Sequence, residues 1–297
     1  MTSFSPTDVA FEGFRLTRER PRAVIAWALC YLVFTFGLAL IAELTLGPQW
    51  QTLIANFRAA ANDPAAVEAA SQKLTPFVFG GLPLYFAFQA VFTCAVYRAV
   101  LRPQEARAGY LRLGWDEARM FALNLILSLL WGAVIFGVLM VTGLAAETAS
   151  TTAPSGMVLI GDVTTVLMIS LGVTVLVRLS LAGPMTFAER RLRVFESWRL
   201  TQGSFWRLFW AYLLAFLLGF VVLLLMLLLI SAIASAALQV SGVPMTALNE
   251  ASANPAIVAA AFVSQAVTAV IFICFMVVWK AAPAQAYKDI TGGRYPG

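Results

Sequence analysis

The sequence predicts an all-α integral membrane protein, with six transmembrane helices forming three tandem helical-hairpin repeats and amphipathic interfacial helices on the cytoplasmic side. Three observations lead there. Of the 297 residues, 61% are hydrophobic and 12% charged, which is about half the charge of a soluble domain, and the mean hydropathy is +0.83. The apolar residues gather into six long stretches. Lysine and arginine concentrate in alternate connections between them.

A spanning helix needs about 20 apolar residues. Residues 23–42 form an uncharged run bounded by Arg22 and Glu43, and 74–97 and 120–146 are uncharged as well. The fourth run, 163–177, is short; extending it back to Met157 places Asp162 just inside its outer end. The fifth starts at Leu208 and is expected to stop near Val240, before Ser241-Gly242-Val243-Pro244. The sixth covers about 257–279. The first run is too long for the apolar region of a cleavable signal peptide and no small-residue cleavage site follows it, so it reads as a retained anchor.

Of the 20 lysines and arginines, 18 fall in the N-terminal arm, the connections after the second and fourth spans, and the C-terminal segment. Only Arg58 and Lys73 lie on the other side. By the positive-inside rule both termini are cytoplasmic. The outer side has one sizeable loop, 47–75, in which 48–60 and 64–73 read as two short helices broken at Asn62-Asp63-Pro64.

The basic segments also resemble one another. Phe11-Glu12-Gly13-Phe14-Arg15-Leu16-Thr17 recurs as Phe195-Glu196-Ser197-Trp198-Arg199-Leu200-Thr201, and more loosely as Gly109-Tyr110-Leu111-Arg112-Leu113-Gly114. Each copy precedes an odd-numbered span. Each even-numbered span ends at a base followed by a proline: Arg98 with Pro103, Arg178 with Pro184, Lys280 with Pro283. Parallel repeats over about 5–103, 104–184 and 186–288, with a short tail at 289–297, account for both patterns. Ser5-Pro6-Thr7-Asp8 is a helix-start signal. Residues 186–202 place Ala188, Leu192, Phe195 and Trp198 at helical spacing, as in an interfacial amphipathic helix, with Gly203 suited to close it.

The stretch Pro184…Glu189…Phe195-Glu196-Ser197-Trp198-Arg199-Leu200-Thr201-Gln202-Gly203-Ser204-Phe205-Trp206-Arg207, leading into a Leu-rich span, resembles the polytopic membrane domain of some bacterial glycerophosphodiester phosphodiesterases and related uncharacterised six-span inner-membrane proteins. In that family hydrolysis belongs to a separate barrel domain. The soluble stretches of this sequence are too short to form one, so the resemblance implies a fold and not that activity.

Histidine is absent, and Cys30, Cys94 and Cys274 are far apart in apolar runs, so no metal or cofactor site is expected. No acid, base and nucleophile converge, which weighs against a membrane-embedded enzyme. The transport-path candidates are the polar residues within spans: Gln89, Asn124, Asp162 and Gln265. For the first two and Gln265, interhelical hydrogen bonds are the plainer reading. No span carries a central carboxylate, an argument against a cation-coupled pump. Arg98, Arg178, Arg199 and Lys280 are candidates for anionic lipid headgroups, with simple snorkelling as the plainer reading.

The expected role is therefore a non-enzymatic scaffold, complex subunit or lipid-associated factor. The alternative is a small-solute or lipid transporter with a site among the repeats. Expected partners are membrane lipids, chiefly anionic headgroups of the cytoplasmic leaflet, together with a protein partner or a second copy of the chain. Nucleic acid is not expected, since topology alone explains the basic residues. Alkaline phosphatase fused after Gly297 should be inactive in bacteria, and a fluorescent protein fused there should fluoresce. The opposite pattern would overturn the orientation.

Overall fold

The computed structural model describes residues 5–47, 64–152, 155–241 and 255–293. Every regular element among them is helical, and six helices are long and apolar enough to cross a membrane. The fold is all-α.

Helix α1 (Pro6–Glu19) meets α2 (Pro21–Leu46) at a corner set by Pro21, which lacks an N–H and begins the second helix. Arg20 at the corner has φ −131° and still donates its N–H to the Leu16 carbonyl. The expected start signal is present, although Ser5 Oγ bonds Thr7 Oγ1 at 2.6 Å instead of capping a backbone amide. Helix α3 (Pro64–Leu101) has 38 residues, about 57 Å at 1.5 Å per residue, against a hydrocarbon core of about 30 Å. The short helix expected over 64–73 is thus not separate; nothing breaks the chain there, and it forms the first turns of α3. Its expected companion over 48–60 lies outside the described residues. Helix α3 also runs uninterrupted through Gly80-Gly81 and Pro83.

A 3-10 turn at Arg107–Tyr110 leads to α4 (Trp115–Thr152), followed by α5 (Ser155–Leu179). The amphipathic helix expected over 186–202 is two helices, α6 (Ala182–Glu189) and α7 (Glu196–Leu200). They part because Arg190 takes a left-handed conformation (φ 56°, ψ 30°) that ends α6. Polar side chains then stabilise the turn: Thr186 Oγ1 accepts the Arg193 N–H, and Arg193 pairs with both Glu189 and Glu196. Leu192, Phe195 and Trp198 remain exposed around it. Gly203, at φ 81°, closes the segment as expected. Helices α8 (Phe205–Ser241) and α9 (Pro255–Thr291) complete the chain. The three base-proline pairs therefore end differently: Pro103 follows α3, Pro184 lies in the first turn of α6, and Pro283 lies inside α9.

Helix α9 is the hub, packing against α1, α2, α3, α6 and α8. Its last third carries Ala281, Ala282, Ala284 and Ala286, all buried, and small side chains let neighbouring backbones approach closely. Helix α1 approaches most tightly, because a Cβ on Gly13 would sit 2.2 Å from the Val278 Cα. Burial here pushes the Glu12 carboxyl above its usual range, against the pull of Arg15 at 2.6 Å. The core continues through Trp27, which is fully buried, stands edge-on to Phe92 and donates Nε1–H to the Gly109 carbonyl at 2.7 Å.

Almost all of this packing sits at the arginine-rich end of the bundle. Toward the other end the spans present Val33, Leu44, Leu129, Phe136, Leu225 and Leu228 outward, a surface suited to lipid and not to water. Gly13→Ala should lower the thermal stability of the detergent-solubilised protein by roughly 1–3 kcal/mol. Gly132→Ala, which has open space around it, should leave stability unchanged or slightly raised. Equal behaviour of the two would refute the α1–α9 contact.

Candidate functional site

Where the six spans meet near the basic end, five of them leave a cavity of about 230 Å³. Helical register decides which side chains line it. Helix α3 contributes Thr93 and Tyr97, one turn apart. Helix α4 contributes Met120, Leu123, Asn124, Leu127 and Trp131 along three turns of one face. Val175, Leu176 and Leu179 of α5, Tyr212 and Ala215 of α8, and Trp279 with Lys280 of α9 close the remaining sides.

The polar groups are unevenly satisfied. Ser180 Oγ and Tyr212 Oη are hydrogen-bonded at 2.9 Å. Among the described residues the buried Thr93 Oγ1 and Asn124 Nδ2 have no hydrogen-bond partner, a state that costs about 1–3 kcal/mol per group unless something satisfies it. Lys280 has neither an ion pair nor a hydrogen bond among the described residues, and no carboxylate lines the cavity. Pro283, one turn on, has no N–H to offer the Trp279 carbonyl. Gly183 admits the Tyr97 ring, since a Cβ there would lie 2.6 Å from the Tyr97 hydroxyl oxygen. The result, among the described residues, is a pocket with one cation that lacks an ion pair, several hydroxyls, one amide and extensive apolar wall.

Two residues from different sequence-based groups therefore share this cavity: Asn124, from the transport-path set, and Lys280, from the headgroup set. The others lie elsewhere. Gln89 is one turn outward of Thr93, bonds Tyr85 and is outside the lining. Gln265 is exposed on α9. Asp162 lies on α5, and its side chain is outside the described residues. Arg178 stacks its guanidinium 5.6 Å from the Trp198 ring and 5.4 Å from Phe205, tying α5 to α7 and α8. Arg199 is exposed on α7. Sequence reasoning missed Tyr97, Ser180 and Tyr212. Their only signal was a hydroxyl in an apolar stretch, one helical turn from another in the case of Thr93 and Tyr97.

Arg98 belongs to a second, more open cavity of about 450 Å³, with Arg102, Arg112, Arg119 and Arg190 around Glu105, Asp116 and Glu117. Here most charge is internally paired. Arg98 is 3% exposed, pairs with Glu117 and donates to the Tyr110 carbonyl at 2.9 Å. Tyr110 is held at φ 66°, a left-handed conformation costly for a bulky residue. Its hydroxyl bonds the Pro103 carbonyl, and Arg20 lies 5.1 Å from its ring. The pair thus closes the α3–α4 connection, a structural task distinct from the Lys280 cavity.

Comparison with protein-family models, curated proteins and solved structures finds no match to this chain. Among the described residues no cluster of metal-ligating side chains occurs.

Arg98→Met should destabilise the protein by about 3–5 kcal/mol, because Glu117 would remain buried without its partner. The double variant Arg98→Met/Glu117→Leu should recover most of that loss in a thermal unfolding assay. If the single variant unfolds like the parent, the pair does not hold the connection.

Proposed function

We propose that this chain is a non-enzymatic, lipid-associated protein of a bacterial inner membrane, with both termini cytoplasmic and a site for an anionic ligand among its spans. The observation that carries the reading is Lys280, which among the described residues has no ion pair and lines a cavity without a carboxylate. A half-buried ammonium facing a largely apolar cavity is stabilised by a counter-charge, and anionic lipid supplies one at the cytoplasmic leaflet. The distribution of basic residues supports the orientation, and the related segments support the three-repeat reading. The likeness to the membrane domain of the phosphodiesterase family supports the fold and carries no activity across.

A second reading, transport of a lipid or small solute, is favoured by Asn124 and Lys280 lining one cavity. A reconstituted assay of fluorescent anionic lipid exchange between leaflets separates the two: exchange supports transport, whereas binding without exchange supports the static role.

Native mass spectrometry from mild detergent tests the shared premise. The protein should retain one anionic phospholipid per chain, Lys280→Arg should keep it, and Lys280→Met should lose it by about tenfold or more in occupancy. Retention unchanged by Lys280→Met, or no retention by the parent, would contradict the reading.

A further inference from the structure

The cavity is polarised along the membrane normal, which bears on the shape of its ligand. Helices α3, α5 and α9 run toward the basic end and α4 runs away from it. In that frame Tyr97, Lys280 and the Ser180–Tyr212 pair occupy the basic end of the cavity. Thr93 and Asn124 come about one turn deeper, and both present an unsatisfied polar atom. Beyond them the lining is apolar: Leu127, Leu130 and Trp131 on α4 face Val175 and Leu176 on α5. Cation, then hydroxyl and amide, then hydrocarbon is the order of an amphiphile's own groups, read from head to tail.

We propose that the cavity holds a single anionic amphiphile with its phosphate or carboxylate head against Lys280 and its acyl chain running between α4 and α5 past Trp131 toward the middle of the bilayer. The proposal rests on the lipid-associated reading above and adds the ligand class and its direction. A small hydrophilic anion would use Lys280 but leave the apolar wall of Leu127, Leu130 and Trp131 without a matching group. A neutral or zwitterionic lipid would match that wall but leave the ammonium unneutralised or poorly matched. Thr93 and Asn124 line the level where a glycerol or ester oxygen follows the headgroup, and a side-chain rotation would let each donate its buried, unpartnered group to one such atom.

The test uses the full chain in nanodiscs of phosphatidylcholine and three probes: lysophosphatidic acid with a brominated chain, its lysophosphatidylcholine counterpart, and glycerol 3-phosphate. Bromine quenches tryptophan fluorescence at contact. The anionic lysolipid should quench saturably, and the quench should shrink in Trp131→Phe. The zwitterionic lysolipid should bind at least about tenfold more weakly, and Lys280→Met should weaken the anionic one by a similar factor while Lys280→Arg restores it. Glycerol 3-phosphate should not compete. Thermal unfolding of each variant reports whether it is folded, and Asn124→Leu provides a second probe of the head-proximal site if Lys280→Met proves unstable.

Competition by glycerol 3-phosphate at the same affinity would overturn the amphiphile class while leaving an anion site at Lys280. Quenching undiminished in Trp131→Phe, with Lys280 still required, would overturn the chain direction alone. Anionic and zwitterionic lysolipids binding equally, with Lys280→Met without effect, would overturn this proposal and the lipid-associated reading together.

Discussion

The close approach of backbones around the last third of α9 is the contact on which the bundle depends. Within a membrane, apolar side chains gain nothing by leaving lipid for protein, so helices associate through packing and polar contacts. The alanines at 281, 282, 284 and 286 provide that packing, and Gly13 lets α1 reach the backbone of Val278. Helices α2, α3, α6 and α8 join the same segment. The aromatic contacts of Tyr31 with Phe272 and of Phe216 with Phe275 and Trp279 extend it outward. Past these the spans expose leucine, valine and phenylalanine to their surroundings. The chain is anchored at one end and lipid-solvated at the other.

The cavity is a consequence of that arrangement. Helix α9 packs closely on α3 and α8, while α4 packs on α3 and α5, and α5 beyond α4 makes only small contacts with α7 and α8. The space left between the two groups is where Lys280 and Asn124 meet. The contrast with Arg98 is instructive. Arg98, in the last turn of α3, has Glu117 and a backbone carbonyl, whereas Lys280, well before the end of α9, has neither among the described residues. A guanidinium with a matching carboxylate serves the fold, and an ammonium without one is available to a ligand.

Much of the fold was legible because its signals are local. Helix α8 was expected from Leu208 to about Val240 and runs Phe205–Ser241, since Gly203-Ser204 and Ser241-Gly242 announce both ends. The start at Pro6 was readable for the same reason. The break between α6 and α7 was not, because it depends on Arg190 adopting a conformation that favours glycine, stabilised by Thr186 and Arg193. The length of α3 was underestimated because the connection after Lys73 continues as helix instead of turning. For the cavity, the sequence offered Asn124 and Lys280 as separate candidates. Their meeting depends on the distance between α4 and α9, which no pattern within either helix encodes. The Glu117 partner of Arg98 lies 19 residues away across an irregular connection, beyond any helical spacing.

The most direct test of the central claim is a density map of the chain in a lipid nanodisc, at a resolution that resolves side chains and bound lipid. A bound amphiphile would give continuous elongated density that begins at the Lys280 ammonium, passes Thr93 and Asn124, and ends beside Trp131. A cavity closed by collapsed side chains, with Lys280 paired to a carboxylate of the protein, would contradict it.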